Sequence, residues 1–155
     1  MPRLFEMTGT RPLKLLAVFA HPDDESFAVG GTLAKYASQG IEVVIVSATR
    51  GEAGIPGLTA AKAAARRESE LRTAAAKLGA SEVRFMGNRD GTLREVNSDE
   101  AVARLVALLR EARPQVIVSF GPDGISGHPD HITVSHWVTA AFDALDGPGA
   151  PWKPY

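Results

Sequence analysis

The tripeptide His-Pro-Asp occurs twice in this sequence, each time downstream of an apolar run that predicts a strand. The first copy lies in AHPDDES at residues 20–26, and the second lies in HPDH at residues 128–131. Alone, the first copy predicts a helix start as readily as a functional site, because proline and acidic residues favour the first helical turn. Two copies in a chain with four histidines favour a functional site. Each proline also restricts the preceding histidine to extended geometry and so keeps it in a loop.

The residue types in these motifs fit a metal site with a catalytic group beside it. His21, Asp24 and His131 would supply two imidazole nitrogens and one carboxylate oxygen. Three such ligands, with a fourth position for water, are typical of a catalytic zinc site. Fe²⁺ would also suit this ligand set. Asp23 would remain free beside the metal, where a carboxylate can act as a general base.

The second motif supplies two further groups. His128 could donate a hydrogen bond to a developing oxyanion or a proton to a leaving group. Asp130 could orient His128 and raise its pKa. The fourth histidine, His136, lies inside a predicted helix. We expect it to be a packed or exposed side chain and not a ligand.

The composition excludes several classes of function. The net charge of −1 favours neither nucleic acid nor an anionic membrane as a partner. The absence of cysteine excludes disulfides, thiolate catalysis and cysteine-based zinc sites. No apolar run approaches the roughly 20 residues that span a bilayer, and residues 1–14 lack the apolar segment of a secretory signal. We therefore expect a cytoplasmic protein without a membrane span.

The elements that must position these residues are four strands alternating with four helices. The strands are predicted at residues 13–20, 41–48, 82–86 and 115–120, and the helices at 27–38, 59–78, 98–112 and 130–145. This alternation predicts an α/β fold, namely a Rossmann-like three-layer α/β/α sandwich with a mainly parallel sheet. The two motifs meet only if their strands are neighbours. A strand order of 3-2-1-4, plus any C-terminal strands, provides this at the topological switch point.

The two motifs together resemble those of the LmbE/PIG-L family of zinc-dependent deacetylases. The resemblance is carried by AHPDDE near the N-terminus and GHPDH after the fourth predicted strand, and it extends from about residue 13 to residue 152. Such enzymes remove acetyl from N-acetylglucosamine attached to another group. The resemblance therefore implies a small-molecule amino-sugar conjugate as substrate. It also implies His21, Asp24 and His131 as metal ligands.

The resemblance implies roles for the remaining residues too. It makes Asp23 the general base, His128 the group that stabilises the oxyanion or protonates the amine, and Asp130 the modulator of His128. Arg67 and Asp90 match positions that contact the substrate in relatives. The chain departs from the family pattern at Ile55, where relatives often have a second acid, and at Ser126, which is sometimes tyrosine. Neither departure affects the residues of the metal chemistry, but both leave the identity of the substrate undetermined.

The resemblance also bears on the domain organisation. Family members usually continue beyond this length. We therefore expect a single LmbE-like deacetylase domain at residues 12–155 that lacks its C-terminal part, preceded by an N-terminal extension at residues 1–11. A homo-oligomer is left open.

Several alternatives remain at this stage. An amidase that cleaves a larger N-acyl group from the same amino sugar would use the same residues. A family member that binds sugar without turnover is a further alternative. A nucleotide-binding α/β module is disfavoured, because the acids of the first loop would repel phosphate. The native metal and the group attached to the amino sugar are not determined by the sequence.

Overall fold

The computed structural model describes residues 12–145 and contains four strands, four helices and one short 3₁₀ turn. In chain order these are β1 (Lys14–Phe19), α1 (Asp24–Ser38), β2 (Glu42–Ser47), α2 (Ala60–Leu78), β3 (Glu82–Phe85), the 3₁₀ turn (Leu93–Glu95), α3 (Ser98–Ala112), β4 (Val116–Val118) and α4 (Pro129–Asp143). The predicted alternation of strands and helices is therefore confirmed. The predicted N-terminal extension lies outside the described residues.

The four strands form one parallel sheet in the order β3-β2-β1-β4. Leu16 in β1 pairs with Val44 of β2 on one side and with Ile117 of β4 on the other. The predicted 3-2-1-4 order is confirmed, and it makes the strands that precede the two His-Pro-Asp motifs direct neighbours.

The core is built on the two central strands. Residues 15–19 of β1 and residues 43–46 of β2 are at most 3% exposed, as expected for parallel strands that are covered on both faces. Helix α1 packs against α2, and α3 packs against α4. Helices on both faces would give the predicted three layers, and the number of layers stays a prediction.

Most element boundaries lie within one or two residues of the predicted ones, and the start of α1 and the length of β4 differ most. Helix α1 begins at Asp24, three residues before the predicted start, so the motif itself forms the first helical turn. Strand β4 is shorter than predicted, and side-chain hydrogen bonds accompany its pairing with β1 at both ends. The Gln115 side chain accepts from the Lys14 N–H, and the Ser119 hydroxyl donates to the Val18 carbonyl.

The parallel sheet brings the loops that follow all four strands to one edge. Ligands bind at this edge in open α/β sheets, and the gap between β1 and β4 is the topological switch point. Within residues 12–145, no helix combines the length and the apolar character needed to cross a membrane.

Candidate metal centre

His21, Asp24 and His131 converge at the switch point. His21 lies in the turn after β1, Asp24 is the first residue of α1, and His131 lies in the first turn of α4. The His131 Nε2 atom is 3.3 Å from His21 Nδ1 and 3.3 Å from Asp24 Oδ1. The His21 Nδ1 atom is 3.5 Å from Asp24 Oδ2. The structure thus brings together the three residues that the sequence predicts as ligands.

These separations fit a tetrahedral metal. Bonds of roughly 2.0–2.1 Å in tetrahedral geometry put ligand atoms about 3.3 Å apart. The two histidine nitrogens are 3.3 Å apart, which equals this edge length, and each lies 3.3 or 3.5 Å from one of the two Asp24 oxygens. Two imidazoles and one carboxylate are also a donor set that a divalent ion accepts.

The second nitrogen of each histidine is held by an oxygen acceptor. His131 Nδ1 is 3.1 Å from the carbonyl oxygen of Gly124. His21 Nε2 is 3.0 Å from Asp90 Oδ1 and 3.1 Å from Asp130 Oδ2. An oxygen acceptor requires an N–H partner, so these contacts place the protons on the nitrogens away from the cluster. When both rings are neutral, the lone pairs of His21 Nδ1 and His131 Nε2 therefore face the cluster.

The electrostatics of the cluster favour a positive charge. Burial alone would lower the pKa of His21, but hydrogen bonds to Asp24 and Asp90 and the charges of both carboxylates outweigh it and raise the pKa to about 10. The same concentration of carboxylates would favour a divalent cation. In the metal-free protein, His21 therefore holds its proton at neutral pH.

Asp23 lies beside this cluster in an unusual backbone conformation. It occupies the N-cap of α1 with φ of 122°, and its side chain makes no capping hydrogen bond. Its Oδ2 atom instead accepts a hydrogen bond of 2.5 Å from Arg67 Nη2. All predicted site residues except Asp130 line one cavity of about 420 Å³, and Asp23 is among them. The carboxylate therefore faces the space that a substrate would occupy.

His128 also lines the cavity and is the N-cap residue of α4. Its Nδ1 atom accepts a hydrogen bond of 3.1 Å from the Asp130 backbone N–H. The neutral ring therefore carries its proton on Nε2. Burial and the nearby charges of His21 and His131 lower the pKa of His128. A ring with a lowered pKa is a better proton donor once it is charged.

The Asp130 carboxylate lies near His128, but its hydrogen-bond partners are other groups. Its carboxylate accepts from the backbone N–H groups of Gly91 and Leu93, at 2.8 and 3.1 Å, and contacts His21 Nε2. Its negative charge does raise the pKa of His128, but burial and the two neighbouring histidines outweigh this effect, and the net shift is downward. The contribution of Asp130 thus has the expected direction, although the net pKa of His128 is lowered. The role of Asp130 as a modulator stays a prediction.

Arg67 and Asp90 lie in the cavity but are bound to other site residues. Arg67 Nη2 donates to the Pro22 carbonyl at 2.6 Å as well as to Asp23. Asp90 Oδ2 accepts from the Ala53 N–H at 3.0 Å, while its Oδ1 contacts His21. Burial would raise the pKa of Asp90, but the hydrogen bonds from His21 and Ala53 outweigh it and lower the pKa.

Sequence reasoning missed two residues that support the site. Glu52 accepts from the backbone N–H groups of Arg50 and Asp90, and so joins the loops after β2 and β3. Gly124 supplies the carbonyl for His131, and its φ of 66° explains why glycine stands there. The sequence signal for Glu52 was its position shortly after the second strand, and the signal for Gly124 was the turn-like sequence GPDG at residues 121–124. His136 is exposed and lies outside the cavity.

Most of this chain is similar to known proteins. Residues 16–142 match the family model described as PIG-L, GlcNAc-PI de-N-acetylase. The chain is 43% identical to 1D-myo-inositol 2-acetamido-2-deoxy-alpha-D-glucopyranoside deacetylase 1 of Saccharopolyspora erythraea, over 89% of this chain and 56% of that protein. The chain spans about half the length of the curated relatives it matches.

Two solved structures extend the comparison. The N,N'-diacetylchitobiose deacetylase of Pyrococcus horikoshii is 29% identical with a TM-score of 0.77, and the match covers 88% of this chain and 52% of that one. GalB of Pseudomonas putida KT2440, a 4-carboxy-2-hydroxymuconate hydratase, is 25% identical with a TM-score of 0.79, covering 92% and 62%. Related chains thus include deacetylases and one hydratase.

Proposed function

The chain belongs to the GlcNAc-PI de-N-acetylase (PIG-L) family, and we propose that it is a metal-dependent hydrolase that removes acetyl from an N-acetylglucosamine-type conjugate. The observation that carries this proposal is the triangle of ligand atoms from His21, Asp24 and His131. These atoms lie at the wall of a cavity that Asp23 also lines.

His21, Asp24 and His131 would hold the metal, with Zn²⁺ favoured and Fe²⁺ as the alternative. When bound by these side chains, a divalent ion supplies polarisation of a carbonyl and acidification of a water molecule. Asp90 and Gly124 would keep the two imidazoles in the tautomers that binding requires, because each accepts the proton of the distal nitrogen.

Asp23 would act as the general base in amide hydrolysis. Its carboxylate takes a proton from the attacking water while the water oxygen bonds to the acetyl carbon. Arg67 holds one carboxylate oxygen, and among the described residues the other oxygen has no hydrogen-bond partner. This arrangement would leave one oxygen available to the water.

His128 would stabilise the oxyanion and could protonate the leaving amine. The Nε2–H of the neutral ring can donate a hydrogen bond to the oxygen of the tetrahedral intermediate. Breakage of the C–N bond then requires a proton on the amine nitrogen, which His128 or the protonated Asp23 can deliver. The products are acetate and the free amine.

The substrate class is proposed from the relatives and from the cavity. The Saccharopolyspora erythraea protein is named for an N-acetylglucosamine joined to inositol. A cavity of about 420 Å³ falls at the small end of the range of roughly 300–1,000 Å³ for ligand sites, which suits one amino-sugar ring. We propose Asp90 and Arg67 as contacts to the sugar hydroxyls and to the attached group.

A hydratase is the second candidate, because the GalB structure matches over nearly the whole chain. Hydration of an alkene adds water without a leaving group, so it produces no acetate. An amidase for larger N-acyl groups and a sugar-binding protein without turnover are further alternatives that the same assay separates.

The deciding experiment incubates the metal-loaded protein with a panel of N-acetylglucosamine conjugates and with matched conjugates that carry longer acyl chains. We expect acetate and free amine in equal amounts from at least one N-acetyl conjugate. Turnover only of the longer acyl series would favour the amidase. Loss of alkene absorbance from unsaturated hydroxy acids without acetate release would favour the hydratase.

A further inference from the structure

Glu25 is a buried carboxylate that the proposed mechanism does not use. It directly follows Asp24 in the first turn of α1 and is 1% exposed. A buried carboxylate is unfavourable unless hydrogen-bond donors compensate the lost hydration. The hydrogen-bond donors that bind the Glu25 carboxylate therefore indicate which part of the chain it holds in place.

Two donors bind this carboxylate, and both belong to the motif. Oε1 accepts from the Ser26 hydroxyl at 2.5 Å, and Oε2 accepts from the backbone N–H of Asp23 at 3.1 Å. The second contact resembles half of a capping box, in which an acid early in the helix reaches back to the N–H of the N-cap residue. Glu25 thus caps the backbone at Asp23 from inside the protein.

The backbone at Asp23 needs such a partner. Its φ of 122° lies in a region that residues with a Cβ rarely adopt. An aspartate at an N-cap ordinarily has extended backbone angles and turns its side chain onto the N–H groups of the first turn. Asp23 makes no such contact and directs its carboxylate to Arg67 and the cavity instead. Relaxation to the ordinary conformation would withdraw the carboxylate from the cavity.

The neighbouring ligand is held by a separate contact. The Asp24 Oδ2 atom accepts from the His21 backbone N–H at 2.8 Å. The Glu25 carboxylate therefore holds the backbone of Asp23, whereas the Asp24 carboxylate holds the backbone of His21. A change at Glu25 can then move the base while the three ligand atoms stay in place.

We propose that Glu25 is a positioning residue for Asp23: its buried carboxylate holds the Asp23 N–H so that the Asp23 side chain faces the cavity. This inference rests on the proposed function of Asp23 as the general base. It assigns the three consecutive acids three tasks, with Asp23 as the base, Asp24 as a ligand and Glu25 as the group that positions the base.

The test compares three single variants of the native-length protein. Glu25→Met removes both acceptor oxygens at similar length, Glu25→Gln keeps one acceptor oxygen, and Ser26→Ala removes the other partner of the carboxylate. We expect Glu25→Met to bind one metal per chain with little change in KM and to lose roughly 10²-fold in kcat, the effect of a misplaced catalytic group. Glu25→Gln should recover most of this loss, and Ser26→Ala should remain close to wild type.

A structural readout accompanies the kinetics. In crystals of Glu25→Met, Asp23 should have a negative φ and its carboxylate should have left Arg67. If Glu25→Met does not fold, Glu25→Asp replaces it, since the shorter side chain keeps the charge but does not reach the Asp23 N–H. Full kcat in the folded variant, or an equal loss in Ser26→Ala, would overturn the proposal.

A double-mutant cycle separates this inference from the proposed function. If Glu25 acts through Asp23, Glu25→Met should cause no further loss of kcat in an Asp23→Asn background. Multiplicative losses would instead mean a general disturbance of the helix start and would overturn the inference alone. Full activity of metal-loaded Asp23→Asn would overturn the assignment of the base, and with it the proposed mechanism.

Discussion

At the scale of single residues, the motif separates groups that are adjacent in the chain. Asp23 and Asp24 are neighbours, yet one carboxylate contacts Arg67 and the other contacts the two histidines. The separation follows from the backbone, because Asp23 has a positive φ and Asp24 begins the helix. Substitutions at the two positions should therefore have different effects.

Asp23→Ala should strongly lower kcat without removing the metal. Loss of a general base lowers kcat by something like 10²–10⁴-fold, whereas the three ligand atoms are untouched. Metal content by elemental analysis and kcat on the same sample check this. Asp24→Ala is the matched control and should lose the metal itself. A metal-loaded Asp23→Ala protein with wild-type kcat would remove Asp23 from the mechanism.

Metal affinity should rise with pH because of His21. In the metal-free protein its pKa is raised from 6.5 to about 10, so the metal must displace a proton throughout the neutral range. As the pH falls, more metal-free protein holds that proton and the affinity falls, by about tenfold per pH unit. Competition with a chromophoric chelator at two pH values one unit apart measures the slope. An affinity independent of pH between 6.5 and 10 would contradict this view of the site.

At the scale of elements, the predictable part of the site comes from strand order. Parallel strands bring their carboxyl ends to one edge, so the pairing of β1 with β4 was sufficient to predict that His21 and His131 meet. The partners of Asp130 were not predictable, because they lie on the loop after β3, whose path depends on tertiary packing. The same holds for Arg67, since nothing local brings α2 to Asp23.

In the loop before α4, substitution of Gly124 by alanine should weaken metal binding, whereas the same substitution at Gly127 should not. Both have positive φ, but a Cβ on Gly124 would lie 2.9 Å from the His131 Cβ, whereas one on Gly127 would meet nothing within 4 Å. Gly124→Ala should therefore weaken metal binding by roughly 10–100-fold, as for a lost partner of a ligand.

Gly127→Ala is the control, because it adds the same backbone strain without the contact to His131. Zinc Kd values for the two variants check the difference. Equal Kd values would mean that the carbonyl of Gly124 does not determine the position of His131.

At the scale of the whole molecule, the site joins distant parts of the chain. Its ligands come from the turn after β1, the start of α1 and the first turn of α4, which follow the two neighbouring strands at the switch point. A metal bound there requires both segments to be folded, so metal binding and global stability are coupled.

Zinc should therefore raise the melting temperature of the metal-free protein. Free metal at ~100-fold above Kd stabilises the native state by about 2.7 kcal/mol, which for a chain of this size raises Tm by roughly 5–10 °C. Scanning calorimetry with and without a chelator measures the shift. His131→Ala should show none, and an equal shift in that variant would place the metal elsewhere.

The central claim is that one metal held by His21, Asp24 and His131 supports amide hydrolysis. The most direct measurement titrates metal-free protein with zinc and records acetate release from N-acetylglucosamine conjugates. The rate should rise in proportion to zinc up to one equivalent per chain and then level off, and His131→Ala should release no acetate at the same zinc concentration. Acetate release that is independent of metal, or that persists in His131→Ala, would contradict the claim.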